Sequence, residues 1–441
     1  MNSIKEICEK IWYLEEKHDL LDFELDSIKI WHFLRMYLYY TVARKTGVLA
    51  DPHPKVKNTF ADKIRNGWQG LISKNPYFGS AAREVLVFDH PRKVKVGDDY
   101  IDLYTHDFIQ ELENKKISHE IYEESYSSRH WTKAHKNRKH LDVLHFFSNK
   151  YIRFVPLKID EGKKEKVDRL KAELEEIFSI QLDLWKIFNF QAKRFKAEHW
   201  FYTKLLKKKK PKRIYLVINY GLMPLIKAAK DLGVETIEFQ HGTFSNYHLG
   251  YHFPGKKNRL EYIPDKFLVW EDFWKRMCSL PFEEKNVEVY GFKHLENEKK
   301  QYSGIKKNPN QIIIVSQGVL GEKLANLILK NIEGLSPFTI FYKLHPSEFQ
   351  VWRRYPSLLK LAEFPNVKIL DDNQIPLYRL LAESTYLIGV FSTVIYEGLH
   401  FGCEILLVDL PGIEYMKNLL DTKKARMFRT PLSQKEAAFL A

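Results

Sequence analysis

Cysteine is scarce in this chain of 441 residues: the three present, Cys8, Cys278 and Cys403, are scattered and odd in number. A disulfide framework and a thiolate metal knot are therefore excluded, and a cytoplasmic protein is expected. Long apolar runs are missing too. No stretch approaches the ~18–20 residues of a membrane-crossing helix, and the leading MNSIKEICEKIWYLEEKHDL carries acids where a signal peptide has an apolar core. Several site chemistries are absent as well. There is no G-x-x-x-x-G-K-S/T phosphate loop, no G-x-G-x-x-G after a strand and no G-x-S-x-G elbow. No Asp-x-Asp occurs, which removes the usual carboxylate pair for a divalent ion on a sugar nucleotide. His135 and His140 lie in the basic stretch RHWTKAHKNRKH without further ligands close in sequence, so no metal is expected.

What is present is globular. The chain is 44% hydrophobic and 29% charged, with 24 Tyr, 29 Phe and 9 Trp to build large cores, which excludes disorder as its main state. Residues 1–45 read as helical, from the spacing of Ile4, Ile7, Cys8, Ile11 and Trp12 and from the aromatic run after Ser27. These helices either pack on the main body or lie on a membrane. From Arg83 onward, short β-branched runs alternate with helical patterns, which predicts βαβ units and parallel sheets.

REVLVFDHP, DVLHFF (142–147), RIYLVIN, ETIEFQ, DKFLVW and VEVYG read as strands, and 163–208 as one long helical stretch. QIIIVSQ, FTIFYKLHP, VKILD, YLIGVFS and EILLVDLPG form a second series. The expected organisation is a helical segment over 1–78, an α/β domain over 79–258, a second over 259–425, and a tail over 426–441.

Three constellations fall at carboxyl ends of predicted strands, where open α/β sheets bind ligands. The first is IEFQHGTFSNYHLGYH, in which His241 follows a strand and Gly242 permits a tight turn. Gln240, Thr243, His248, Tyr251 and His252 complete a polar, imidazole-rich loop that is either plain surface or a site. The second is FYKLHPSE, where His345 can donate to a phosphate oxygen and Lys343 shares its strand face. The third is LIGVFSTVIYEGLHFG. Ser392 there is an N-cap, and with Thr393 it also offers hydroxyls, helix N–H groups and the positive helix end to an anion. Glu397, in the second turn, is within reach of ribose hydroxyls. A fourth, weaker element is VSQGVLGE, with Gln317 and Gly318 in a strand-to-helix loop.

In this order (His-Gly, then His-Pro, then Ser-Thr and Glu opening a helix) the residues resemble a GT-B glycosyltransferase of bacterial surface-polysaccharide synthesis over roughly residues 80–425. The chain is most similar to sialyltransferases and Kdo transferases with an HP motif, and to CDP-glycerol glycerophosphotransferases with HG and HP motifs. The resemblance implies two Rossmann-like domains facing a cleft, a nucleotide-sugar donor (a nonulosonic acid or Kdo on CMP) and a glycan or lipid-linked acceptor of capsule or lipopolysaccharide. The alternatives are a CDP-glycerol-type phosphotransferase, a UDP-sugar GT-B enzyme or epimerase, and a non-catalytic scaffold of a capsule assembly complex. It implies that His345 and Ser392 with Thr393 hold the donor phosphate. With the Asp-x-Asp pair missing and the helix dipole and His345 there to carry the phosphate's charge, no metal or cofactor is expected. Sialyltransferase-like members carry an acidic-acidic-Gly motif where Gln240-His241-Gly242 stands here. The base is then His241 itself or a carboxylate from elsewhere, Asp89 or Glu238. The acceptor falls to Gln240, Gly242, Thr243 and His248.

Charge bears on partners. Lys+Arg 70 against Asp+Glu 56 gives a net +14. KLLKKKKPKR, with Lys207 to Lys210, is either solvated surface or a dock on the inner face of the cytoplasmic membrane. No nucleic-acid module is recognisable, so nucleic acid is not expected as a partner.

Overall fold

The computed structural model describes residues 3–49, 74–79, 82–126, 129–133, 135–256 and 260–428. The strongest β-formers lie at the centre of two parallel sheets. The first contains β1 (Val85–Phe88), β2 (His119–Glu123), β3 (Arg138–His140), β4 (Arg213–Val217), β5 (Glu235–Phe239), β6 (Lys266–Val269) and β7 (Val287–Val289). Their spatial order is β7-β6-β5-β4-β1-β2-β3, and every pairing is parallel.

The second sheet contains β8 (Asn308–Val315), β9 (Thr339–Lys343), β10 (Val367–Leu370), β11 (Ser384–Gly389), β12 (Glu404–Leu407) and β13 (Ala425–Met427). Its order is β10-β9-β8-β11-β12-β13, again all parallel. Central strands such as β1 and the Ile312–Val315 end of β8 are buried on both faces, as parallel strands under helices must be. Each sheet reverses its winding once, between β1 and β4 and between β8 and β11. Those are the topological switch points at which ligands bind in doubly wound folds. Two Rossmann-type sheets whose carboxyl ends meet constitute the GT-B layout.

Several expectations are corrected. DKFLVW and VEVYG form β6 and β7 of the first sheet, so the division between the sheets lies after Val289, not at 258. The polar stretch misled because its described parts, 250–256 and 260–263, connect strands of one sheet. DVLHFF is not a strand but the start of a helix, Asp142–Tyr151. Val143, Leu144 and Ser148 are buried at helical spacing, and a short apolar run cannot tell the two states apart by itself. The stretch 163–208 is two helices, Glu161–Phe178 and Leu184–Lys209, broken where Ser179 turns left-handed. The expectation that 426–441 crosses back falls, from 429 on, outside the described residues.

The leading segment is two helices, Ile4–Lys17 and Ile30–Lys45. The first opens on a capping box: Glu6 N donates to Ser3 Oγ at 3.1 Å, and Ser3 N to Glu6 Oε2 at 2.8 Å. The second buries Trp31, His32, Leu34, Arg35, Leu38, Tyr39 and Val42, so these helices pack on the body. One core cluster runs from them through the first sheet to Ile313, Leu387 and Ile395 of the second domain.

His32 is buried there against Tyr262, its ring 5.6 Å away and stacked, and neither ring nitrogen has a hydrogen-bond partner. Burial holds its pKa down at about 3. Below pH 6.5 the unfolded chain takes up a proton that the folded one refuses, so this group costs stability as pH falls. His32→Leu is therefore expected to raise the urea midpoint. Its advantage should grow by about 1.4 kcal/mol per pH unit between roughly pH 6 and 4. Parallel wild-type and variant curves over that range would contradict a buried neutral imidazole.

Candidate active site

The carboxyl end of β5 turns abruptly, and the turn is locked from below. Gln240 Oε1 accepts from Trp270 N at 3.0 Å, Gln240 Nε2 donates to Gly242 O at 3.0 Å, and Trp270 Nε1 donates to Gln240 O at 3.1 Å. Gln240 is thus buried and shapes the turn; it does not face an acceptor, which corrects that expectation. The lock projects His241, Gly242 and Thr243, all half-buried, toward the second domain. A Cβ built on Gly242 would lie 3.8 Å from Thr393 Oγ1, so the first and third constellations meet.

His241 is set in a directional chain of hydrogen bonds. Its Nδ1 lies 3.2 Å from Tyr251 Oη, which donates at 2.7 Å to Glu238 Oε1. Because Tyr251 spends its only proton on the carboxylate, its oxygen accepts from His241, which places the imidazole proton on Nδ1. Nε2 keeps its lone pair, 3.4 Å from Tyr220 Oη. Glu238 is wholly buried and also accepts from Asn219 N at 3.0 Å and Asn219 Nδ2 at 2.7 Å. Burial pushes its pKa up to about 7, against the pull of Tyr251 and Asn219. For His241, burial first and then His90, His248 and Arg92 hold the pKa well below the ordinary histidine value, so it is neutral near pH 7.

Neither proposed carboxylate base reaches the cleft. Glu238 stands behind Tyr251, and Asp89 is buried between Lys93 Nζ at 2.7 Å and Arg138 Nη1 at 2.5 Å. Both are corrected from bases to supports, because each oxygen is already committed. His248 Nδ1 accepts from Gly250 N at 3.2 Å, and its ring lies 5.0 Å from that of Tyr251, within the wall of the same loop.

The loop after β1 adds residues that the sequence reading left out. His90 N donates to Asp102 Oδ2 at 2.9 Å, and the His90 ring lies 5.9 Å from that of His241. Tyr104 closes the same side, 6.3 Å from His241. A signal was available: FDHP is a second His-Pro at a strand end. At the end of β4, Ile218 adopts φ +69°, which a β-branched residue avoids and which functional sites often retain. Tyr220 follows it, and a side chain at Gly250 would meet the Tyr220 ring at 2.6 Å, so that glycine admits the tyrosine.

The second domain brings its own switch point to the same place. Ser392 caps the helix Thr393–His400, accepting from Val394 N at 3.2 Å. Gln317 Nε2 donates to Phe391 O, tying the β8 loop to the β11 loop. A Cβ on Gly318 would fall 2.2 Å from Ser347 Oγ and 3.2 Å from His345 Nδ1, so the β8 loop passes directly against the loop after β9, and a side chain there would displace the Ser347 hydroxyl. His345 is held by Ser347 Oγ at 2.7 Å and, through its backbone N–H, by the buried Glu348 at 2.8 Å. Glu397 is buried with a pKa raised by burial to about 7, while Arg92 of the first domain draws it down and Tyr378 hydrogen-bonds to it. Lys343 is turned away from His345: it donates to Asp372 O, and to Asn373 Oδ1 at 2.9 Å. That corrects its place on the donor face and makes it the brace of the turn after β10.

His130 and His140, rather than His135 and His140, come together, with Asp142 beside them. Their rings stack 3.5 Å apart and nearly parallel, and His130 Nε2 lies 2.7 Å from Asp142 Oδ2. Parallel rings aim their lone pairs into separate planes, so the contact is a hydrogen-bonded stack rather than a preformed chelate.

No protein-family model matches this chain, and no curated protein matches it. Among solved structures it is similar to UDP-GlcNAc 2-epimerase from Methanocaldococcus jannaschii, at 10% identity over 81% of this chain and 90% of that one, with a TM-score of 0.48. It is similar to MurG from Acinetobacter baumannii, at 14% identity over 81% and 91%, TM-score 0.45. The calicheamicin glycosyltransferase CalG4 aligns at 11% identity over 81% and 89%, TM-score 0.45. No TM-score among these reaches 0.5; the strand order of the two sheets, read from the chain itself, defines the architecture.

Proposed function

We propose that this chain is a metal-independent GT-B glycosyltransferase that moves a sugar from a nucleotide donor, a nonulosonic acid or Kdo on CMP, to a hydroxyl of a capsule or lipopolysaccharide acceptor. The observation that carries the proposal is the pairing of an oriented, neutral His241 with the Ser392–Thr393 helix start directly across from it. The donor phosphate sits at that helix start, where the dipole and the Ser392 and Thr393 hydroxyls favour negative charge. His345, with Gln317 and Gly318 beneath it, bounds the same phosphate. Glu397 takes the ribose hydroxyls, and Thr243 and Gly242 bound the acceptor with His248 behind them.

His241 Nε2 accepts the proton of the acceptor hydroxyl as that oxygen bonds to the anomeric carbon. The bond from that carbon to the phosphate oxygen breaks, and the nucleotide leaves with the electron pair. Charge on the imidazolium is met through Tyr251 by ionised Glu238. The same base would serve a CDP-glycerol-type phosphotransfer, a reading favoured by the histidine before Gly242; there the acceptor oxygen attacks phosphorus instead.

Thermal unfolding with CMP, CDP and UDP, together with transfer assays on CMP-sugar and CDP-glycerol donors, separates these readings. CMP is expected to raise the midpoint, and full transfer activity should persist in EDTA. Because a CDP-glycerol phosphotransferase also releases CMP, the donor decides between the two: transfer from CDP-glycerol and not from a CMP-sugar would select the phosphotransferase. Stabilisation by UDP alone would select a UDP-sugar enzyme, stabilisation by none would make the chain a scaffold, and activity lost to chelator and restored by Mg²⁺ would overturn metal independence.

A further inference from the structure

The helices Asp142–Tyr151 and Leu184–Lys209 pack against each other in the first domain. Along the longer one, Phe190, Lys193, Ala197, Trp200 and Lys204 recur every three or four residues and share a face. Ile152 and Val155 pack on Ala197, which places the chain following the shorter helix on that face. Around it the apolar surface is left open. Phe154 is 76% exposed, Phe146 57% and Phe190 50%. Tyr151 stacks on Trp200 at 5.1 Å, and Lys204 Nζ lies 3.5 Å over the Trp200 ring. Scattered exposed aromatics are ordinary; here they gather on two packed helices and the short segment that follows one of them, beside the Tyr151–Trp200 stack.

The charge along these segments is mainly basic, and the acids beside them are paired: Asp142 with His130, Glu124 with His145 and Asp231 with His199. Between Val143 and Ile159 the sequence holds no acid, while Lys150 and Arg153 are exposed. Between Leu184 and Lys209 the one acid is Glu198, buried and bound to Arg194 at 2.7 Å. Lys204, Lys207 and Lys208 are exposed. Lys209 is not part of this surface: its Nζ is buried, 2.8 Å from Glu120 Oε2, which corrects the reading of Lys207 to Lys210 as one basic cluster.

We infer that this aromatic and basic face docks the protein on an anionic lipid bilayer, with Phe146, Phe154 and Phe190 entering the headgroup region and the lysines meeting lipid phosphates. Trp and Tyr favour that interface, and Lys and Arg extend to it around an apolar centre. The inference does not rest on the reaction proposed above, and its test reads no activity.

Full-length protein is sedimented with vesicles of phosphatidylcholine plus phosphatidylglycerol and with vesicles of phosphatidylcholine alone. Binding is expected to the anionic vesicles and to fall with salt. The triple variant Phe146→Ser, Phe154→Ser, Phe190→Ser should lose affinity by on the order of tenfold or more, since each ring gives up partial apolar burial. Lys204→Gln and Lys208→Gln should each lose about fivefold. These side chains are exposed, so the urea midpoint should not move. Equal binding to both vesicle types, or a triple variant that binds as the wild type does, overturns the inference. So does a concentration-dependent dimer that the triple variant lacks, which would make a second copy the occupant.

Discussion

His241→Asn is expected to lower turnover by ~10²–10⁴-fold, the usual contribution of a positioned acid–base group, with little change in donor affinity. Asparagine retains an amide donor for the Tyr251 oxygen but has no lone pair basic enough for a sugar hydroxyl. Binding and chemistry should therefore separate in this variant, with the CMP-induced rise in midpoint intact and single-turnover transfer nearly gone. Collapse of nucleotide binding with transfer of bound donor preserved would make His241 a binding residue. A pH signature accompanies the assignment. Glu238, raised by burial to about 7, offsets the charge on the His241 imidazolium only when ionised, so turnover should climb as pH rises through about 7. Glu238→Gln should remove that limb. An unchanged pH profile in that variant would detach Glu238 from the relay.

The second large effect concerns stability, and through it the shape of the site. Arg35 is buried in the leading helices, its Nη2 2.8 Å from Glu15 Oε2 and its Nη1 2.7 Å from His252 O, and it also donates to Leu249 O. The guanidinium thus ties the leader to the chain segment that carries His248 and Tyr251. Arg35→Met leaves Glu15 buried without its cation and two carbonyls without a donor. The expected loss is about 3–5 kcal/mol, typical when one partner of a buried pair is removed. Replacing both, Arg35→Met with Glu15→Leu, should recover much of it, because no uncompensated charge remains. Residual activity in the single variant should fall more than the folded fraction alone explains, since the His248–His252 turn loses its anchor. Equal stability of wild type and the single variant by urea unfolding would show that the pair carries no such weight.

Much of this protein was legible without coordinates. Alternating β-branched runs and helical patterns determined two parallel α/β sheets, because period and composition act locally and do not wait for tertiary contacts. The placement of His241 after a strand, and of Ser392, Thr393 and Glu397 at a helix start, could be read for the same reason, since local sequence defines those ends.

Tertiary structure decided the rest. That β6 and β7 extend the first sheet depends on which edge is open to pair, and the composition of the sequence between β5 and β6 carries no record of it. Whether DVLHFF is a strand or a helix turned on its neighbours, since a short apolar run satisfies either state. The roles of Asp89, Glu238, Gln240, Lys343 and Lys209 were decided by partners distant in sequence, from Gln240 with Trp270 to Lys209 with Glu120. Burial sets a carboxylate's pKa and hydrogen bonding sets an imidazole's tautomer, and both are properties of the packed neighbourhood. A sequence can nominate a histidine for catalysis; only the fold assigns which of its nitrogens holds the proton.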